Sequence, residues 1–142
     1  MQSLRLDRLA LVNVVFLVTL VLHDSDHVRQ GLGRLTPEVM TAGLLLVAAA
    51  FATLPLTLRQ HPRAPLAAAV VGLLTAIAIV AGHLLPHWSA FSDPYPDLSL
   101  DTYSWAVMLA ELVAAVIFGL VGVDELRRRS AVMAPSAERS TA

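Results

Sequence analysis

Four apolar stretches, at 9–27, 37–58, 65–85 and 104–123, take up most of this 142-residue chain. Each approaches the ~20 residues that a helix needs to cross a bilayer. A soluble domain carries about 25% charged residues. Here the share is 15%, with 56% hydrophobic residues and a mean hydropathy of +0.67. The expected fold is therefore all-α: a four-transmembrane-helix antiparallel up-down bundle with helices at about 5–27, 37–58, 65–85 and 104–123. The whole forms one membrane domain, 1–129, followed by a disordered cytoplasmic tail, 130–142. No segment remains for a separate soluble catalytic domain.

Cysteine is absent. Disulfides, thiolate metal sites and cysteine nucleophiles are excluded together. The basic stretches are too short for a nucleic-acid surface. Arg5 and Arg8 precede an apolar run, as in a signal peptide. Small residues at the −3 and −1 positions of a cleavage site are missing where that run ends in Val21-Leu22-His23-Asp24, so the segment reads as a retained first helix.

Orientation follows from arginine. With the N-terminus inside, the cytoplasmic side holds Arg5, Arg8, Arg59, Arg63, Arg127, Arg128, Arg129 and Arg139, against Arg29 and Arg34 outside. This positive-inside bias places both termini in the cytoplasm of a bacterial inner (plasma) membrane. Trp88, Tyr95, Tyr103 and Trp105 then fall on the outer side, near the interface that favours such rings.

Helix ends have local causes. Thr36-Pro37-Glu38 supplies an N-cap, a proline at the first helical position and an acid in the first turn. Pro86 cannot continue a helical ladder, so the third helix ends or kinks there. Asp101 or Ser104 can cap the fourth. Ala68-x-x-x-Gly72 and Gly119-x-x-Gly122 offer flat faces for close helix packing, more within one chain than between two.

Against this apolar background, ionisable residues collect in one layer. His23-Asp24-Ser25-Asp26-His27 closes the first helix, His83 and His87 close the third, and Glu111 lies inside the fourth. At 1.5 Å rise per residue, His23 and Glu111 lie about one to two turns below the outer boundary. A charged residue at mid-helix costs about 2.5–3.5 kcal/mol on the insertion scale, so such residues usually mark a site. His23 and His27 are four apart and share a helix face. With His83 and a carboxylate they form an all-N/O donor set, suited to Zn(II), Fe(II), Mn(II) or Cu(II). The candidate ligands are His23, His27, His83 and Glu111. Asp24, Asp26, His87 and Asp93 are candidate supports that orient imidazole N–H groups.

Other readings stay open. The same cluster can be a polar network that only fixes helix packing, in an accessory subunit of a larger membrane complex. It can also be a proton relay in a carrier, which would need oligomerisation to enclose a path. Ser25 invites a hydrolase reading, but a histidine from another helix and an oxyanion hole would be required. Trp88-x-x-Phe91-Ser-Asp-Pro-Tyr-Pro reads as an interfacial lid, with a substrate gate as its alternative. Lipid is the one assured partner; a membrane-protein partner or a homo-oligomer is open, and nucleic acid is not expected.

The stretches Leu22-His-Asp-Ser-Asp-His-Val-Arg-Gln-Gly31 and His83-Leu-Leu-Pro-His-Trp-Ser-Ala-Phe-Ser-Asp-Pro-Tyr95 resemble small four-helix integral membrane proteins of actinobacteria with no established activity. The resemblance covers nearly the whole helical region. It implies the four-helix fold and supplies no catalytic residues.

Overall fold

The computed structural model describes residues 7–133. The part of the expected first helix before Asp7, and positions 134–142 of the expected tail, lie outside them. The described residues form α1 (Arg8–Gln30), α2 (Pro37–Leu58), α3 (Ala64–Ile79) and α4 (Thr102–Met133), with a π turn at Val80–Leu84 and two short 3-10 turns in the loops. Four segments are long and apolar enough to cross a membrane, the third comprising α3 with its π turn.

Each boundary has a chemical cause. The Asp7 side chain accepts from Ala10 N at 2.8 Å and starts α1. Gly31 ends it at φ 98, a conformation that only glycine adopts without strain. Thr36 accepts from Val39 N, and Pro37 occupies the first position of α2, as the Thr-Pro-Glu signature predicts. Asp101 Oδ1 accepts from Ser104 N at 3.0 Å and starts α4. α4 runs well past 123, the end expected for it. No proline or glycine interrupts the chain from Val123 to Met133. There Arg128 pairs with Asp124 one turn back, a spacing that supports helix. Residues 130–133 are therefore helical rather than part of a disordered tail.

The tightest packing joins α3 to α4, and glycine permits it. A methyl placed on Gly72 would lie 2.5 Å from Gly119 N and 2.7 Å from the Ala115 carbonyl oxygen. One on Gly122 would lie 2.5 Å from Ala69 N and 2.7 Å from the Pro65 carbonyl oxygen. The two small-residue motifs thus serve packing within the chain, where close backbone approach maximises dispersion contacts between helices. α1 lies against α4 through a series of pairs: Arg8 with Asp124, Phe16 stacked on Phe118, His23 with Glu111, and Arg29 with Ser104.

α2 is held differently. Only Ala50, Thr53 and Thr57 of this helix are buried. A polar clasp inside the apolar layer fixes them: Asn13 Nδ2 donates to Thr57 Oγ1 (2.9 Å), and Thr53 Oγ1 donates to Asn13 Oδ1 (3.0 Å). Asn13 is fully buried and both ends of its amide are used, which offsets its desolvation. At the other end of α2, Thr36 Oγ1 donates to the Ala90 carbonyl. Between the clasp and that tether, Pro37–Val47 buries no residue completely. α2 stands off from α1 and α3 along this stretch.

Candidate metal centre

The π turn shapes the site. Leu85 N donates to the Val80 carbonyl at 3.1 Å, a five-residue step that widens the last turn before Pro86. Such turns change the angular phase of the residues they hold and recur at functional sites. His83 sits in this turn and is buried. Its ring centroid lies 5.2 Å from that of His23 and 5.3 Å from that of His27, and the two α1 rings are 4.7 Å apart. One nitrogen from each of the three lies within 4.8 Å of the other two, so the triad could hold a metal ion.

Two of the rings are oriented from behind. His23 Nδ1–H donates to Glu111 Oε2 at 2.5 Å, across the interface of α1 with α4. His83 Nδ1–H donates to the backbone carbonyl of Asp93 at 3.1 Å. A carbonyl can only accept, so this bond fixes the His83 tautomer with Nε2 as the free lone pair. In His23 the remaining nitrogen, Nε2, accepts from the Tyr95 hydroxyl at 3.0 Å. No protein hydrogen bond engages a His27 ring nitrogen among the described residues.

The candidate residues divide accordingly. His23, His27 and His83 come together. Glu111 is buried and adjacent, but it holds His23 from behind and lies outside the group of donor atoms. Asp93 contributes through its main chain, while burial pushes its own carboxyl above the usual range. Asp24 is half-buried and lines the adjoining cavity. Asp26 is engaged elsewhere: it accepts from Arg29 Nε (2.7 Å) and Gln30 Nε2 (2.5 Å), whose other contacts reach Ser104. It therefore ties the end of α1 to the start of α4 instead of orienting an imidazole. Asp101 joins this latch, and the Ser104 N–H and the Arg29 guanidinium hold its carboxyl below the usual range. His87 is exposed in the loop, because Pro86 stops the helix that would have placed it under His83. Ser25 is also exposed and donates to the Val21 carbonyl at 2.6 Å, which removes the hydrolase arrangement.

Tyr95 is the site residue that sequence reasoning missed. It is 0% exposed, its ring centroid 4.7 Å from that of His83 at a tilt and 5.5 Å from that of Trp105 edge-on. Burial holds its phenol above the ordinary range, so it stays a neutral donor to His23. Its setting between Pro94 and Pro96 was the available signal: two prolines stiffen the loop that carries the ring inward.

No protein-family model, curated protein or solved structure matches the chain. Fold and cluster define it as a small, apolar four-helix protein, with helices able to cross a membrane and a histidine triad able to hold a metal.

Proposed function

We propose that the chain is a multi-pass protein of the bacterial inner membrane that binds one divalent transition metal through His23, His27 and His83. The reading rests on one observation above all. Two of the three imidazoles have Nδ1 committed to an acceptor, Glu111 or the Asp93 carbonyl, which is how metal-ligating histidines are usually oriented. Three neutral nitrogen donors suit Zn(II), Fe(II), Mn(II) or Cu(II) and leave a coordination position for an exogenous ligand. Such an ion would supply Lewis-acid chemistry at that position. The protein's share is to orient the rings, exclude water and keep the His23 and His83 Nδ1–H groups hydrogen-bonded to Glu111 and to the Asp93 carbonyl. The use is metal handling or metal-assisted chemistry on a lipid-soluble substrate.

Tyr95 sets the affinity. Its hydroxyl occupies the His23 lone pair that the metal needs, so binding displaces one hydrogen bond. A neutral hydrogen bond contributes about 0.5–1.5 kcal/mol net, so Tyr95→Phe is expected to tighten binding by about 2- to 10-fold. Competition with a chromophoric chelator on tag-free protein measures this. Weaker binding in the variant would make the phenol a ligand instead of a competitor.

The order of pairs along α1 and α4 supports an antiparallel up-down bundle with both termini at one end, which the arginine bias assigns to the cytoplasm. The chain lacks cysteine, so single cysteines can report sidedness. Ser99 and His61 are both exposed, at opposite ends. Ser99→Cys is expected to react with an impermeant reagent added to intact cells, and His61→Cys to react only after lysis. The reverse pattern would invert the topology.

A second reading has support in α2. Its outward surface carries Leu44 and Leu45 at 65% and 68% exposure, which suits a partner helix as well as lipid. A protein of this kind would be a non-enzymatic subunit of a larger complex, with the polar cluster serving packing. Stoichiometric copurification of one partner, with no bound metal, would favour it. The hydrogen-bonded chain Glu111–His23–Tyr95 supports a third, a proton relay.

A further inference from the structure

Where α2 stands off, a cavity of about 620 Å³ opens beside the histidine triad. Its walls are apolar, from Leu20 and Ile79 on one side to Val39 and Val47 on the other. Its rim includes the exposed Leu44, Trp88 and Phe91, so it is reached from the surface that faces lipid. Its floor is polar: His23, His27, His83, Asp24, Glu111 and Thr75 all line it. The volume lies within the roughly 300–1,000 Å³ of pockets that hold small-molecule ligands, and apolar walls with a few convergent polar groups are their usual composition.

Thr75 is the independent observation. Among the described residues, its Oγ1 is the one buried side-chain polar atom without a hydrogen-bond partner. The residue is 3% exposed. Hydroxyls in helices commonly bond a carbonyl one turn back. Thr19, Ser25, Thr41, Thr53, Thr57 and Ser130 all do so here. Thr75 does not, at the one threonine that lines the cavity. An unpaired buried hydroxyl is costly, and rotation about χ1 would turn it to a ligand oxygen in the cavity.

We propose that this cavity binds a membrane-soluble amphiphile with one long apolar chain or ring system and a single uncharged oxygen head, a hydroxyl or a carbonyl. The head lies at Thr75, about two turns of α3 before His83, and the apolar part extends along α2. Among the described residues no arginine or lysine lines the cavity, so no fixed cation there pairs with an anionic head. The Thr75 hydroxyl can hold that oxygen without an ion. An ion in the triad would face the same cavity, about two turns of α3 away from that oxygen. The proposal therefore extends the metal reading and stands apart from it.

The test uses the full chain in phospholipid nanodiscs and a long-chain alcohol bearing a diazirine, with labelled sites mapped by peptide mass spectrometry. Saturable labelling on α2 and α3 residues that line the cavity is expected. Excess plain alcohol should suppress it at least several-fold. Gly43→Trp should do the same by filling the space, since a side chain there meets nothing within 4 Å at its first atom. Thr75→Val gives up no hydrogen bond that the fold uses, and should weaken labelling by about 3- to 10-fold with metal content unchanged. The matching hydrocarbon and carboxylate probes should each label less than the alcohol. Unsaturable labelling spread evenly over lipid-facing Leu45, Ile77 and Val113 would overturn the proposal. So would equal labelling by the hydrocarbon, or a copurified protein that blocks the cavity. Saturable labelling in a protein that takes up no metal would leave this site standing and remove the metal reading. Bound metal with unsaturable labelling would do the reverse.

Discussion

Gly122→Leu, and still more the Gly72→Leu/Gly122→Leu pair, is expected to abolish the folded monomer. The first side-chain atom at either site would lie 2.5 Å from a backbone nitrogen of the facing helix, and a backbone atom cannot rotate away. Overpacking costs about 1–3 kcal/mol where side chains can adjust. Here α3 and α4 must separate along their length, so each substitution should cost more than about 3 kcal/mol. Even Gly72→Ala should be clearly destabilising. Gly43→Ala is the internal control: nothing lies within 4 Å of its added methyl. Replacing a mid-helix glycine there should be neutral or favourable by up to about 1 kcal/mol. Thermal unfolding in one detergent checks the set. Equal midpoints for Gly72→Ala and Gly43→Ala would mean that α3 and α4 do not pack through these glycines.

Removing His23 or His83 is expected to abolish high-affinity metal binding, and removing both should cost little more than removing either. A two-nitrogen remnant cannot close the coordination that three imidazoles provide, so each single loss should lower affinity by at least about 100-fold. Glu111→Leu should cost about 10- to 100-fold, the usual penalty for losing a group that orients a ligand. Glu111→Gln keeps an acceptor for His23 Nδ1–H and should fall between Glu111→Leu and the unaltered protein. Chelator competition across the five variants, the His23→Ala/His83→Ala double included, measures these differences. Additive losses from His23→Ala and His83→Ala would mean two separate features.

The starts of α2 and α4 and the end of α3 were legible because the residues that make them act locally. Thr36-Pro37-Glu38, Asp101 and Pro86 each work within one turn, and all behave as their chemistry dictates. The packing role of Gly72 and Gly122 was legible for a similar reason, since small residues at helical spacing make one flat stripe. The depth of His23, His83 and Glu111 could be counted along each helix. Their division of labour could not. Whether Glu111 is a ligand or holds a ligand depends on a distance across α1 and α4, and nothing in the spacing of one helix encodes it. Asp26 went unread as a latch because Ser104, which Arg29 and Gln30 also reach, is 78 positions away. Tyr95 belongs to a loop, where no period reports which side chains turn inward, and its ring type fits an interfacial anchor equally well. Asn13 was hidden by its surroundings: one amide in an apolar run looks like an exception until Thr53 and Thr57 are seen to receive it. The stand-off of α2, and with it the cavity, had no separate mark in the sequence.

Elemental analysis of tag-free protein, purified in detergent and supplemented in turn with zinc, iron, manganese and copper salts, is the most direct measurement. The proposed metal site predicts close to one ion per chain for at least one of these metals, lost in the His23→Ala/His83→Ala variant. A folded protein that retains none of the four would contradict the metal site and leave a hydrogen-bonded bundle in which His23, Glu111 and Tyr95 serve another purpose.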